Sequence, residues 1–176
     1  MGSTEISDAE WQAWRGYRRL AEIITGRIVR EINEATGLSG PDFMILMEIN
    51  RSPQGVLLQR ELLEYLEWDK SRLSHQLSRM TARDLVQRSR ATRAGISVRM
   101  TEAGSQLLAT ARPIHAAGVR RNFLDLLTPE DIEGLDRHHR AVTAVSQRFY
   151  RIIPGRSASD TPSATCTIAA AVEGIM

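Results

Sequence analysis

Eight basic side chains stand between Lys70 and Arg99: Lys70, Arg72, Arg79, Arg83, Arg88, Arg90, Arg93 and Arg99. Asp84 is the single acid among them. The whole chain carries a formal charge of only +2, so the remainder is acidic on balance. A basic segment set in an acidic chain faces something anionic. Every one of the 23 basic residues except Lys70 is arginine, the side chain suited to bidentate contacts with phosphate and guanine. A GC-rich coding bias produces the same arginine excess, so the clustering is the stronger signal. Within the cluster, Ser71, Ser74, His75, Ser78, Arg79 and Ala82 fall on the side of a helix opposite Leu73, Leu77 and Met80. A helix that buries one face and offers short hydrogen-bonding groups on the other meets the physical demand of reading base edges.

Other residues that could carry chemistry are less organised. His138 and His139 are adjacent, so a helix turns them about 100° apart rather than toward one metal, and His115 lies on a different helix. Without an H-x-x-x-H pair or a cysteine ligand set, no metal site is expected. Cys166 is the only cysteine; it has no disulfide partner in the chain and no nearby cation to stabilise a thiolate, so it is read as inert. There is no Gly-rich phosphate loop, no G-x-S-x-G and no nucleophile with an identifiable base. The stretch from Arg60-Glu61 to Glu67 reads as a solvated helix face. Neither an enzyme nor a cofactor is expected.

The elements that must position the basic segment follow from capping signals and periodicity. Ser7-Asp8-Ala9-Glu10 has the form of a capping box. Trp14, Tyr17, Ala21, Ile24, Ile28 and Ile32 then recur at spacings of three and four, which predicts one long helix over about 7–36. That helix exceeds the usual globular length, so part of its face is expected to pack on another subunit. Pro41 suits the first residue of a second helix, whose run Phe43–Ile49 is apolar nearly all round. Ser52-Pro53-Gln54-Gly55 ends it. Leu58, Leu62, Leu63 and Leu66 mark a short third helix, and after a turn at 67–70 a fourth runs to about Asp84. The period then changes from helical to alternating over 86–90 and 96–100, with Ala94-Gly95 between, which predicts a two-stranded hairpin with a basic tip. Thr101 caps another helix, which Pro113 is expected to kink or divide. Thr128-Pro129-Glu130-Asp131 opens the last, with Ile132, Leu135, Val142, Val145 and Phe149 as its apolar face. The small polar run from Pro154 onward reads as a disordered tail over 154–176.

With 176 residues, 42% hydrophobic and 25% charged, the chain suits one globular domain. No apolar run is long enough to span a bilayer, and the N-terminus lacks the basic start and apolar core of a secretory signal. Those features favour the cytoplasm and argue against a membrane partner.

Two helices joined by a tight turn, followed by a basic hairpin, give the order of a winged helix-turn-helix. At this point the sequence resembles the multiple-antibiotic-resistance regulator (MarR) family. The resemblance is carried by Leu38-Ser39-Gly40-Pro41-Asp42-Phe43 before the second helix and by Asp69-Lys70-Ser71-Arg72-Leu73-Ser74-His75 on the fourth. It continues with Leu85-Val86-Gln87-Arg88, the wing run Arg93–Gly104, and Leu127-Thr128-Pro129-Glu130. It spans about residues 7–152. One departure stands in the wing: the family usually carries an Asp two residues before the arginine, where this chain has Ala91, so Arg93 lacks that brace.

The resemblance implies a mainly α fold with a hairpin wing and a single domain over 1–153. Helices at about 7–36 and 101–153 would dimerise it, and the winged helix-turn-helix would occupy about 41–100. It further implies a homodimeric transcription factor on double-stranded DNA, whose binding a small-molecule effector weakens. Two-fold symmetry places the two recognition helices about one duplex turn (~34 Å) apart, so an inverted-repeat operator is expected. Arg72, His75 and Arg79 are assigned to base edges and nearby phosphates, and Ser71 and Ser74 to phosphate or thymine. Arg93 is assigned to the minor groove, and Lys70, Arg88 and Arg90 to phosphates. Trp11, Trp14, Tyr17, Met44 and Met47 are candidates for a pocket taking an aromatic effector, against the plainer expectation that all five make core and dimer contacts. The favoured reading is an effector-responsive repressor. The rival is a dimeric protein-interaction module that keeps the fold without recognising an operator.

Overall fold

The computed structural model describes residues 5–91 and 95–152. Helix α1 (Asp8–Thr36) starts at the expected capping box, with the Ser7 backbone N–H donating to Glu10 at 2.8 Å. It stops where Gly37 takes the left-handed conformation (φ 69°) and donates its N–H to the Asn33 carbonyl at 2.7 Å. Glycine adopts that geometry without a side-chain clash. Helix α2 (Gly40–Arg51) begins one residue before Pro41, because Ser39 and Asp42 form a second reciprocal capping box around it. The three-residue strand β1 (Val56–Leu58) leads into α3 (Gln59–Leu66), and α4 (Lys70–Ala82) follows. Strands β2 (Val86–Ala91) and β3 (Gly95–Met100) precede α5 (Glu102–Asn122), a short 3-10 turn at Leu124–Leu126, and α6 (Pro129–Ile152).

Three expectations change. Leu58 ends a strand as well as capping α3, and its N–H is held by the Glu61 carboxylate at 2.7 Å. The hairpin is therefore part of a three-stranded antiparallel sheet in the order β1-β3-β2. Leu57 pairs with Val98 and Val86 with Met100. Three residues show too little alternation to announce a strand; their hydrogen-bonding partner lies about forty residues along the chain. Of the two outcomes expected at Pro113, division does not occur, since α5 runs unbroken from Glu102 to Asn122. The proline faces solvent, and the surrounding turns hold the helix together despite its missing donor.

The core gathers Leu38, Ile45, Leu46 and Ile49 with Leu62 and Leu66 of α3 and Leu73, Leu77 and Met80 of α4, all fully buried. Leu85, Val86 and Val98 continue it under the sheet. Only the second half of α1 joins it: Ile28 and Ile32 pack toward α5, where Gly118 comes close to Ile28. Arg121 of α5 also reaches Glu31 of α1 at 2.7 Å. The first half of α1 lies in solvent, with Trp11, Trp14, Tyr17 and Leu20 43–50% exposed. Ile132, Leu135 and Val142 of α6 are exposed as well, while the side chains of Val145 and Phe149 lie outside the described ones. The tail at 154–176, with Cys166, is likewise outside the described residues. Among the described residues no helix is long and apolar enough to cross a membrane.

Candidate nucleic-acid interface

Helix α4 is set by its two ends. At the start the Asp69 side chain accepts from the Arg72 N–H at 2.9 Å, satisfying an orphan donor and placing an acid at the positive end of the helix. At the finish the Leu85 N–H bonds back to the Met80 carbonyl at 2.9 Å, which ties the end of α4 to the residue just before β2. Leu73, Leu77 and Met80 bury the inner face as the spacing predicts. Lys70, Ser71, His75, Ser78 and Arg79 are exposed on the outer face, and Ser74 is half-buried with its carbonyl taken by the Ser78 hydroxyl at 2.9 Å. The Arg72 guanidinium lies 4.1 Å from the ring centroid of Trp68, itself buried. This cation–π contact stiffens a long side chain at the head of the helix.

The hairpin presents its own cations. Arg90 and Arg99 are exposed, while Arg88 donates to Gln59 of α3 at 3.2 Å and is half-buried. Ser89 and Ser97, paired across the strands, join hydroxyls at 2.7 Å. Arg93 lies outside the described residues.

Not every arginine of the cluster is left to an outside partner. Arg83, though exposed, pairs with the buried Asp42 of α2 at 2.6 Å, and its second nitrogen donates to the Gly37 carbonyl at 2.7 Å. Asp42 also accepts from Gln76 of α4 at 2.6 Å and from the Ser39 N–H at 2.9 Å. Gln76 in turn accepts from Arg79. Sequence reasoning passed over this network, although one signal was present: Gln76 is a polar residue on the face marked by Leu73, Leu77 and Met80. A buried polar side chain there requires partners.

The residues suggested for an effector pocket occupy two different settings. Trp14 and Tyr17 stack with centroids 5.9 Å apart on the exposed half of α1. Met44 and Met47 of α2 are half-buried at the border of the core. The seam between α2 and α5 holds His115 of α5, whose ring centre lies 4.9 Å from that of Phe43. Burial lowers the His115 pKa, and the Arg51 charge lowers it further. Burial raises the Glu48 pKa despite the neighbouring Arg51 guanidinium. Among the described residues no group of three or more His, Cys, Asp or Glu is placed to hold a metal.

The MarR family profile matches residues 36–95, the stretch from the end of α1 to the first residue of β3. AbsC, a MarR family transcriptional regulator from Streptomyces coelicolor, is 31% identical with a TM-score of 0.77, over 82% of this chain and 99% of that chain. The protein belongs to the MarR family. A second MarR family regulator from the same organism, Sco3205, has been solved in complex with DNA. It is 26% identical with a TM-score of 0.75, over 80% of this chain and 89% of that one. The organohalide-sensing regulator RdhR-CbdbA1625, solved with 2,4-dichlorophenol, shares the fold at 16% identity. Its TM-score is 0.70, over 89% of this chain and 96% of that chain. No curated protein matches the sequence. The mainly helical fold with a small antiparallel sheet is that of the MarR winged helix, and the relatives are regulators of transcription.

Proposed function

We propose that this MarR family protein is a homodimeric repressor that reads an inverted-repeat operator and releases it when a small aromatic effector binds. The reading is carried by one observation: exposed basic residues sit on the outer face of α4 and on the hairpin packed against it, while the inner face of α4 is buried. A solvated charged surface has no need to set exposed Ser71, His75 and Arg79 beside Arg90 on adjoining elements. A base-reading helix with a flanking wing does. In this proposal Arg72, His75 and Arg79 meet base edges and nearby phosphates, and Ser71 and Ser74 meet phosphate or thymine. Lys70, Arg88 and Arg90 hold phosphates, and Arg93 enters the minor groove. Residues 41–100 form the reading part of a single domain over 1–153. Helices at 7–36 and 101–153 supply the dimer contacts, for which the exposed apolar faces of α1 and α6 give support. The α2–α5 seam, near which Met44 and Met47 are half-buried, is the proposed effector position, while Trp11, Trp14 and Tyr17 on the exposed half of α1 fall to the proposed dimer face.

Selection of randomised duplex DNA on the purified protein near physiological salt tests the proposal, because readout must be separated from phosphate attraction. An enriched inverted repeat with half-sites about one turn (~34 Å) apart is expected. Aromatic acids titrated into that complex are expected to weaken it. Binding without an enriched motif that vanishes as salt rises would sink the operator reading and favour an interaction module.

A further inference from the structure

We infer that Asp42 and Gln76 form a buried relay that aims Arg79, so that two residues which never reach the DNA help set which base is read. The inference rests on the proposed role of α4 as the base-reading helix.

Asp42 is 1% exposed and Gln76 3%. A glutamine amide has a donor end and an acceptor end, and in solvent it turns freely between them. Here one end is fixed by what it faces. The Asp42 Oδ1 takes Gln76 Nε2 at 2.6 Å, while Oδ2 takes the Ser39 N–H at 2.9 Å and Arg83 at 2.6 Å. Turning the amide over would press two acceptors together in a buried site, with no water to relieve either. The Gln76 carbonyl must therefore point the other way, and there it accepts from an Arg79 NH2 group. A single bond leaves the remaining guanidinium donors of Arg79, an exposed residue, available to another acceptor.

The sense of the arrangement lies in its polarity. A carboxylate at 42 dictates the amide direction at 76, and the amide direction gives Arg79 an acceptor rather than a repelling donor. A guanidinium held before DNA arrives loses less side-chain freedom on binding and favours one base geometry over its neighbours. Because Asp42 caps α2 and Arg83 binds the Gly37 carbonyl at the end of α1, the relay is anchored to the helices behind α4.

The test uses the full-length chain and the operator selected by the wild type. Affinities are measured for that sequence, for each single-base-pair change in a half-site, and for a random duplex. Asp42→Asn offers Gln76 an amide instead of a carboxylate and permits the turned-over orientation. Gln76→Met keeps the buried volume and leaves Asp42 bonded to Ser39 and Arg83, so it reports on the relay even if Asp42→Asn melts early. Each variant is expected to lose about tenfold in discrimination at the same base pair where Arg79→Ala loses it. Random-duplex affinity should stay unchanged, and neither variant should lose more when combined with Arg79→Ala. Unchanged base discrimination in Gln76→Met overturns the relay. So does an equal loss on every duplex that multiplies with the loss from Arg79→Ala, since that marks a purely structural role. A wild type that selects no sequence overturns the operator reading first, and the relay with it.

Discussion

His115 shows how far one residue's surroundings set its chemistry. On α5 it packs its ring on Phe43 of α2, and burial together with Arg51 disfavours its protonated form. Its folded pKa lies below the ordinary 6.5. The unfolded chain therefore binds the proton more readily than the folded one. The stability held by neutral His115 is complete above about pH 6.5 and declines as pH falls below it toward the lower folded value. One proton bounds the slope at about 1.4 kcal/mol per pH unit. Thermal melting of the wild type between pH 7.5 and 5 is expected to fall more steeply than that of His115→Gln. Parallel curves would show that the ring pays no penalty for protonation. Arg83 makes the complementary point. Among the basic residues counted between Lys70 and Arg99 it reads as one more cation for an anionic partner, yet its guanidinium is bound to Asp42 and the Gly37 carbonyl. Charge counting along a chain cannot tell an arginine open to an outside partner from one engaged within the protein, because the Asp42 that engages it lies about forty residues away in a different helix.

Where elements meet, local signals carried most of the reading and distant pairing carried the rest. The starts of α1, α5 and α6 were readable because each is written in adjacent residues: Ser7 with Glu10, Thr101 with Gly104, Thr128 with Asp131. The inner face of α4 was readable from the spacing of Leu73, Leu77 and Met80. Strand β1 was not, since its existence depends on β3 pairing beside it, and neither was the Asp42–Gln76–Arg83 network, since no local pattern joins α2 to α4. Another distant contact fixes how the sheet hands over to α5. The Thr101 hydroxyl caps the Gly104 N–H at 3.0 Å, and the Thr101 N–H bonds to the Leu85 carbonyl at 3.1 Å. A Cβ on Gly104 would stand 2.2 Å from that same carbonyl oxygen, which belongs to backbone and cannot swing aside. Gly104→Ala is therefore expected to destabilise the protein by about 1–3 kcal/mol, the cost of forcing an extra atom into a packed site. Denaturant unfolding measures it. An unchanged midpoint would show that α5 can move off β2 without loss, and that the hairpin is not rigidly tied to the helix behind it.

Across the whole molecule, the apolar surface is unevenly covered. The core beneath α2, α3, α4 and the sheet is closed, whereas Trp14, Tyr17 and Leu20 on α1 and Ile132, Leu135 and Val142 on α6 are all exposed. These residues recur at helical spacings, so each set forms a stripe rather than scattered contacts, and exposed stripes of this kind mark interaction surfaces. In a two-fold assembly each stripe would be covered by the same elements of a partner copy, burying the roughly 1,200–2,000 Å² or more typical of a stable interface. Leu135→Glu puts a charge in the middle of the α6 stripe without touching the closed core. Sedimentation velocity is expected to show a dimer for the wild type and a monomer, or a strongly weakened dimer, for the variant. The consequence for DNA follows from linkage of two half-sites. A dimer binds its second half-site at high effective concentration, an advantage on the order of 10²–10⁴-fold that a monomer forfeits even though each α4 is intact. Leu135→Glu should thus lose affinity for a full operator far more than for an isolated half-site. Equal losses on both would place the damage within the protomer, and a monomeric wild type would mean that the two stripes meet some surface other than a second copy of this chain.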